Sequence, residues 1–109
     1  GAETFDYHFR EHYLNKHADF RDAEELSRYF DSPCLMVGIQ GQTKEMIRND
    51  IRLLKQFFKL GTINVFTNNS TDVKRDEELV KWFLEEYREL EHDPSIEVLY
   101  ENTDFGVGD

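Results

Sequence analysis

Cys34-Leu-Met-Val-Gly-Ile39 is a short and nearly unbroken apolar run that follows Pro33. A run of this length is too short for a typical helix, and continuous apolar runs are typical of strands buried on both faces of a parallel sheet. Two later apolar segments, residues 62–67 and 96–100, also follow turn residues. The sequence therefore predicts three buried strands.

Helical periodicity fills both intervals between these strands. In residues 44–59 and again in residues 76–91, apolar side chains recur at steps of three and four positions. Thr43 is a suitable cap for the first helix, and Glu77 and Glu78 are favourable in the first turn of the second. Short strand–helix–strand links imply parallel strands with right-handed crossovers. We expect an α/β fold: a three-stranded, mainly parallel sheet (βαβαβ) with flanking helices.

The N-terminal region is also predicted to be helical. Phe5 and Phe9 begin a pattern with steps of four that predicts a helix over residues 6–15. Asp22, with Glu25 three positions later, resembles the capping box of a second, short helix that carries Leu26, Tyr29 and Phe30. The sequence contains no long linker. We therefore expect a single domain over residues 1–109, in which a helical segment, 1–31, packs on a βαβαβ core, 32–109.

Charge and cysteine content limit the classes of function. The chain has 109 residues, with 23 acidic and 13 basic side chains and a formal net charge of −10. Such a surface repels the phosphate backbone, and we expect the bases to form no patch, so nucleic acid is not an expected partner. No apolar stretch approaches the roughly 20 residues of a membrane span, so no membrane partner is expected either. The single cysteine, Cys34, excludes an internal disulfide or a multi-cysteine metal site within this chain and favours a cytoplasmic protein.

Polar side chains cluster where the predicted strands end. In open α/β sheets ligands bind beyond the carboxyl ends of the strands, which here are residues 40–43, 68–71 and 102–104. Their amides and hydroxyls donate and accept hydrogen bonds without carrying charge, which suits a ligand with ribose hydroxyls, ring nitrogens and amino-acid groups. The same residue types are also ordinary turn formers, and that interpretation stays open.

Other groups of residues are less suited to chemistry. His8 and His12 have the spacing of a helical metal-ligand pair, with His17 nearby, but no third ligand of matching spacing is evident. Cys34 lies at the start of an apolar strand and is expected to be a buried, inert thiol. A run of glutamates is expected to form a solvated helix face: Glu85, Glu86, Glu89 and Glu91. The sequence thus predicts neither a catalytic residue nor a metal site.

Taken together, Glu3-Thr-Phe-Asp-Tyr-His-Phe-Arg-Glu11, Gly38-Ile-Gln-Gly-Gln-Thr43 and the Asn-tipped later strands resemble the radical S-adenosylmethionine (SAM) superfamily. In that family a partial (β/α)₆ barrel begins with a cluster-binding Cys-x₃-Cys-x₂-Cys loop. Its middle strand ends in an acidic segment like Glu3-Thr4-Phe5-Asp6, and the next strand often ends in a Gly-x-Gln turn. The resemblance covers nearly the whole chain. It implies half of a radical SAM-type barrel, the C-terminal half, with strands four to six.

The resemblance also implies a ligand site and a partner. By position at strand ends, it places SAM contacts at Glu3, Gln40, Asn68 and Asn102. One cysteine cannot anchor a [4Fe–4S] cluster that takes three thiolates, so the cluster is expected only in the missing N-terminal half of the parent chain. That half is the expected partner. The substrate stays unknown, and this chain is expected to be inactive by itself. Separation from the barrel should leave an unpaired edge and a formerly covered apolar face.

Other classes of function stay open on the residues alone. The chain could be a complete, non-catalytic α/β module that binds a small polar ligand or a protein. An unfamiliar small enzyme is a third alternative, but no nucleophile–base pair or carboxylate dyad has interpretable spacing. The first two hypotheses differ in what precedes Glu3. A barrel fragment should start abruptly at a strand end, whereas a complete domain usually begins with a polar tail.

Overall fold

The computed structural model describes four stretches of the chain: residues 4–6, 9–10, 22–67 and 74–100. The described part has a three-stranded sheet in the order β1–β2–β3, with β1 at Cys34–Val37, β2 at Gly61–Val65 and β3 at Ile96–Leu99. Both strand pairs are parallel, since Leu35 lies opposite Ile63 and Ile63 lies opposite Val98. The predicted parallel sheet is confirmed, and each strand is one or two residues shorter than its predicted run.

Three α-helices flank the sheet: α1 at Ala23–Ser27, α2 at Lys44–Phe57 and α3 at Glu77–Glu86. A 3₁₀ helix follows α3 at Arg88–His92, so the second long helix predicted from the sequence is divided in two. Each α-helix begins at a polar cap whose side chain accepts a backbone N–H three positions later: Asp22, Thr43 and Asp76. These caps satisfy amides that have no partner within the helix.

The long helices α2 and α3 pack on the same face of the sheet. Alternating side chains of the strands share one buried core with the inner faces of both helices: Leu35, Val37, Ile63, Val65, Ile96, Ile47, Ile51, Leu54, Leu79, Val80 and Phe83. Sequential strand order with right-handed crossovers requires this one-sided arrangement. It is the arrangement of a barrel segment, because doubly wound sheets reverse their strand order and carry helices on both faces.

The opposite face of the sheet mixes polar and apolar side chains. The strand register places two rows across it, which are Cys34, Thr62 and Glu97, then Met36, Asn64 and Leu99. Asn64 is buried, and its Nδ2 donates to Cys34 Sγ over 2.7 Å. Met36 on this face belongs to an apolar cluster with Phe9, Ile39 and Phe66, and the expected apolar face stays a prediction. Cys34 is half-buried rather than fully buried, and its sulfur lies in this polar row.

α2 carries a stripe of basic side chains on its outer side. Lys44, Arg48, Arg52 and Lys55 recur at steps of four, four and three, and all four are exposed. Lys44 Nζ and Arg48 Cζ lie 5.6 and 5.1 Å from the ring centroid of Trp82, which are cation–π distances. The expectation that the bases form no patch is wrong for this helix.

The short helix α1 also differs from its prediction. Leu26 is buried, but Tyr29 and Phe30 lie beyond the end of the helix and are 75% and 60% exposed. They therefore do not share the apolar face that the sequence predicts for them. The helix predicted over residues 6–15 lies mostly outside the described residues. Within the described stretches, no helix is long and apolar enough to cross a membrane.

Candidate functional site at the carboxyl ends of the strands

The turn that follows β1 is built around a buried glutamine. Gln42 Oε1 accepts the backbone N–H of Gly38 at 2.8 Å and of Ile39 at 2.9 Å. Gln42 Nε2 donates to the carbonyl of Met36 at 2.9 Å. One side chain thus satisfies three backbone groups at the point where the strand ends. Gln42 belongs to the polar rim predicted from the sequence, but its polar atoms are used inside the turn.

Two glycines give this turn its shape. Gly38 and Gly41 both have a φ of +102°, in the region that residues with a side chain rarely adopt. A Cβ on Gly38 would also overlap Cγ2 of Val80 on α3. Glycine at position 38 therefore serves both the backbone conformation and the close packing of α3.

Gln40 lies between these glycines and is the one predicted SAM contact among the described residues. It is exposed, and its backbone N–H donates to the carbonyl of Lys74 at 2.9 Å. The backbone N–H of Asp76 donates to the carbonyl of Gly38 at 2.7 Å, so the segment before α3 pairs with the turn. The other three predicted contacts, Glu3, Asn68 and Asn102, lie outside the described residues.

The carboxyl ends of β1 and β2 are held side by side. The backbone N–H of Phe66, just past β2, donates to the carbonyl of Val37 at 2.8 Å. The Phe66 side chain packs with Met36 and Ile39 from the end of β1 and with Phe9 from the N-terminal segment. The described residues therefore bring two strand ends and the N-terminal segment together at one edge of the sheet.

A buried polar network, which the sequence pattern does not predict, joins the N-terminal segment to α2. Asp50 on α2 accepts the Thr4 hydroxyl at 2.6 Å and the Phe5 backbone N–H at 2.9 Å. Arg10 Nη1 donates to the Thr4 carbonyl at 3.0 Å. Thr4, Arg10 and Asp50 are all buried. The available signal was one acidic residue within the apolar face of α2, between Ile47 and Leu54.

Burial raises the pKa of Asp50 from 3.8 to about 7, because desolvation penalises the carboxylate. Hydrogen bonds from Thr4 and Phe5 act in the opposite direction. The Thr4 hydroxyl accepts the Asp6 N–H at 3.1 Å, which directs the hydroxyl proton toward Asp50. Asp50 therefore receives two donors, as a carboxylate requires, in surroundings that favour its protonated form.

The remaining predicted groups have no bearing on this edge. The glutamates of the charge run are exposed, as predicted: Glu85, Glu86, Glu89 and Glu91. The three histidines, His8, His12 and His17, lie outside the described residues. Among the residues that the structure describes, no group of three or more His, Cys, Asp or Glu side chains is arranged to hold a metal ion. A cleft of about 240 Å³ lies at the opposite end of the sheet, between the end of α2 and the turn before β3.

No protein-family model and no curated protein matches the chain. A solved structure does match it: a queuine lyase from Clostridium spiroforme bound to SAM and queuine, with 58% sequence identity and a TM-score of 0.91. The match covers 100% of this chain and 47% of that chain. In sequence and fold, this chain matches part of a radical SAM enzyme.

The match confirms the resemblance and the fold class. The three parallel strands and their helices match a fragment of a radical SAM enzyme, and the sheet is open. The chain spans about half the length of the solved relative, as expected for a portion of a longer radical SAM protein. Its single cysteine leaves no cluster-binding motif within its length.

Proposed function

We propose that this chain is the C-terminal portion of a radical SAM enzyme and forms part of its SAM site and substrate cavity. The observation that carries the proposal is 58% identity over the whole chain to a queuine lyase solved with SAM and queuine. The one-sided packing of α2 and α3 supports it, because a barrel segment keeps its other face for the interior. A complete, non-catalytic binding module, the alternative from the sequence, has no observation of comparable weight.

The proposed SAM contacts are Glu3, Gln40, Asn68 and Asn102. Support from geometry is strongest for Gln40, which is exposed in the tight turn at the carboxyl end of β1. A neutral amide both donates and accepts hydrogen bonds, so it fits the hydroxyl, amino and carboxylate groups of SAM. These residues bind and orient SAM; none of them is proposed to react.

The [4Fe–4S] cluster is proposed to reside in the N-terminal part of the same parent chain. The cluster takes three thiolates, and the present chain has one cysteine. When bound, the cluster supplies the electron for the reductive cleavage of SAM. The present chain contributes binding and orientation and is inactive without that partner. We place the parent protein in the cytoplasm, in line with its cysteine usage in this region.

The proposed substrate is queuine or a close analogue. The relative was solved with queuine, and the polar side chains on the sheet face opposite the helices suit a small polar molecule in a barrel interior. Thr62, Asn64 and Glu97 provide a hydroxyl, an amide and a carboxylate on that face. Such groups fix the orientation of a ligand in a pocket.

The SAM site is tested by calorimetric titration of SAM into the full-length parent protein with its cluster reconstituted. Gln40→Ala should weaken binding by about 3- to 10-fold, the loss of one hydrogen bond worth about 0.5–1.5 kcal/mol. Gln56→Ala is the matched control, because Gln56 is an exposed glutamine on α2. If both variants bind SAM with equal affinity, Gln40 does not contact SAM. A wild-type parent that does not bind SAM would overturn the proposed function.

A further inference from the structure

Asp50 is an unusual residue for its position. It is 3% exposed on the inner face of α2, where its neighbours Ile47, Ile51 and Leu54 belong to the apolar core. Burial of a carboxyl group is costly unless the group is paired, and an apolar side chain would serve the core better. The carboxyl group at this position is therefore explained by the groups that it binds.

Asp50 holds the beginning of the N-terminal segment. It accepts the Thr4 hydroxyl and the Phe5 backbone N–H, which fixes both a side chain and the adjacent main chain. The Thr4 carbonyl accepts Arg10 Nη1, and Arg10 is 1% exposed. Asp6 completes the turn, since its side chain accepts the Phe9 N–H at 2.9 Å and its carbonyl accepts the Arg10 N–H at 3.0 Å. These hydrogen bonds thus hold the described residues 4–6 and 9–10 together and anchor them to α2.

The other end of this unit contacts the candidate site. Phe9 is buried against Met36, Ile39 and Phe66 at the carboxyl ends of β1 and β2. Ile39 precedes Gln40 in the turn that Gln42 braces. The described residues 4–6 and 9–10 therefore connect Asp50 on α2 with the turn that carries a proposed SAM contact.

We propose that Asp50 is a positioning residue of the SAM site, which through Thr4 and Phe5 holds the N-terminal segment whose Phe9 packs against the Gln40 turn. This inference rests on the proposed function. Asp50 touches neither SAM nor substrate and acts through the segment that it holds.

The test measures SAM affinity and thermal unfolding in the full-length parent protein with its cluster. Asp50→Asn keeps the shape of the side chain but cannot accept both donors, and Thr4→Val removes the hydroxyl without changing the volume much. Each variant should raise the SAM dissociation constant by about 5- to 30-fold, within the range spanned by lost neutral and charge-assisted hydrogen bonds. Thr4→Ser restores the hydroxyl and should stay within about twofold of wild type. The double variant, Asp50→Asn with Thr4→Val, should bind SAM with about the affinity of the more affected single variant, because both substitutions remove the same contact.

Leu90→Ala is the control for loss of stability alone. Leu90 is buried in the core, on the 3₁₀ helix, and does not contribute to the Asp50 network. It should lower the melting temperature and leave SAM affinity unchanged. If Asp50→Asn and Thr4→Val lower the melting temperature but bind SAM like wild type, Asp50 is only a structural residue and the proposal fails. If wild-type parent binds no SAM, the proposed function fails first and this inference falls with it.

Discussion

Replacement of Gly38 by alanine should destabilise the turn that carries Gln40. The alanine would have to hold a φ of +102°, and left-handed backbone costs a residue with a side chain about 1–2 kcal/mol. Its Cβ would also overlap Val80 Cγ2, and overpacking of a core typically costs about 1–3 kcal/mol. The expected loss in the free energy of unfolding is therefore about 2–5 kcal/mol.

A double-mutant cycle separates these two causes. In Val80→Ala the overlapping methyl group is gone, and the Val80 Cβ lies 3.8 Å from an added Cβ, which is ordinary contact. The Gly38→Ala, Val80→Ala double variant should therefore lose about 1 kcal/mol less than the sum of the two single variants. Urea unfolding of the 109-residue chain, followed by circular dichroism, gives the four free energies. An additive cycle, or a Gly38→Ala loss below about 1 kcal/mol, would refute the reasoning.

Three more substitutions test other parts of the structure. Gln42→Met removes a buried side chain that satisfies three backbone groups and should lower the free energy of unfolding in urea by about 2–4 kcal/mol. Gln40→Met on the surface is the control and should change it by less than about 0.5 kcal/mol. Similar losses in both variants would contradict the structural role of Gln42. Thr43→Ala removes the cap of α2 and should cost about 1 kcal/mol, with Thr43→Ser close to wild type in the same assay. Asp50 has a folded pKa of about 7, above its ordinary pKa of 3.8, so it keeps a proton that the unfolded chain releases, and stability should fall as the pH rises from about 4 to about 7. In Asp50→Asn, the free energy of unfolding measured at several pH values should depend less on pH than in the wild type. If its slope against pH is unchanged, Asp50 is not the cause of the pH dependence.

The local spacing of apolar residues was sufficient to predict the helices and strands that bury one face. The apolar runs and the three- and four-residue steps predicted the three strands, α2 and most of α3, because burial of those faces decides their structure. Strand order and one-sided helices then follow from right-handed crossovers. Tyr29 and Phe30 show the limit of this reasoning, since single exposed apolar residues are common on protein surfaces.

Pairing between distant residues could not be read from local pattern. Asp50 is separated from Thr4 by 46 positions, and a single acid within an apolar stripe does not identify its partner. Gln42 has the composition of a ligand-binding rim, but its side chain folds back to the carbonyl of Met36. The basic stripe on α2 emerges only when Lys44, Arg48 and their neighbours are placed around the helix axis.

A parent protein that this chain completes as a radical SAM enzyme is expected to cleave SAM reductively. The measurement is the release of 5′-deoxyadenosine from SAM by the full-length parent protein, with the cluster reconstituted, dithionite as the reductant and queuine present. The full-length protein should release 5′-deoxyadenosine, and residues 1–109 treated in the same way should release none. If a full-length protein with an intact cluster releases no 5′-deoxyadenosine, or if residues 1–109 alone release as much, the chain does not have the proposed role.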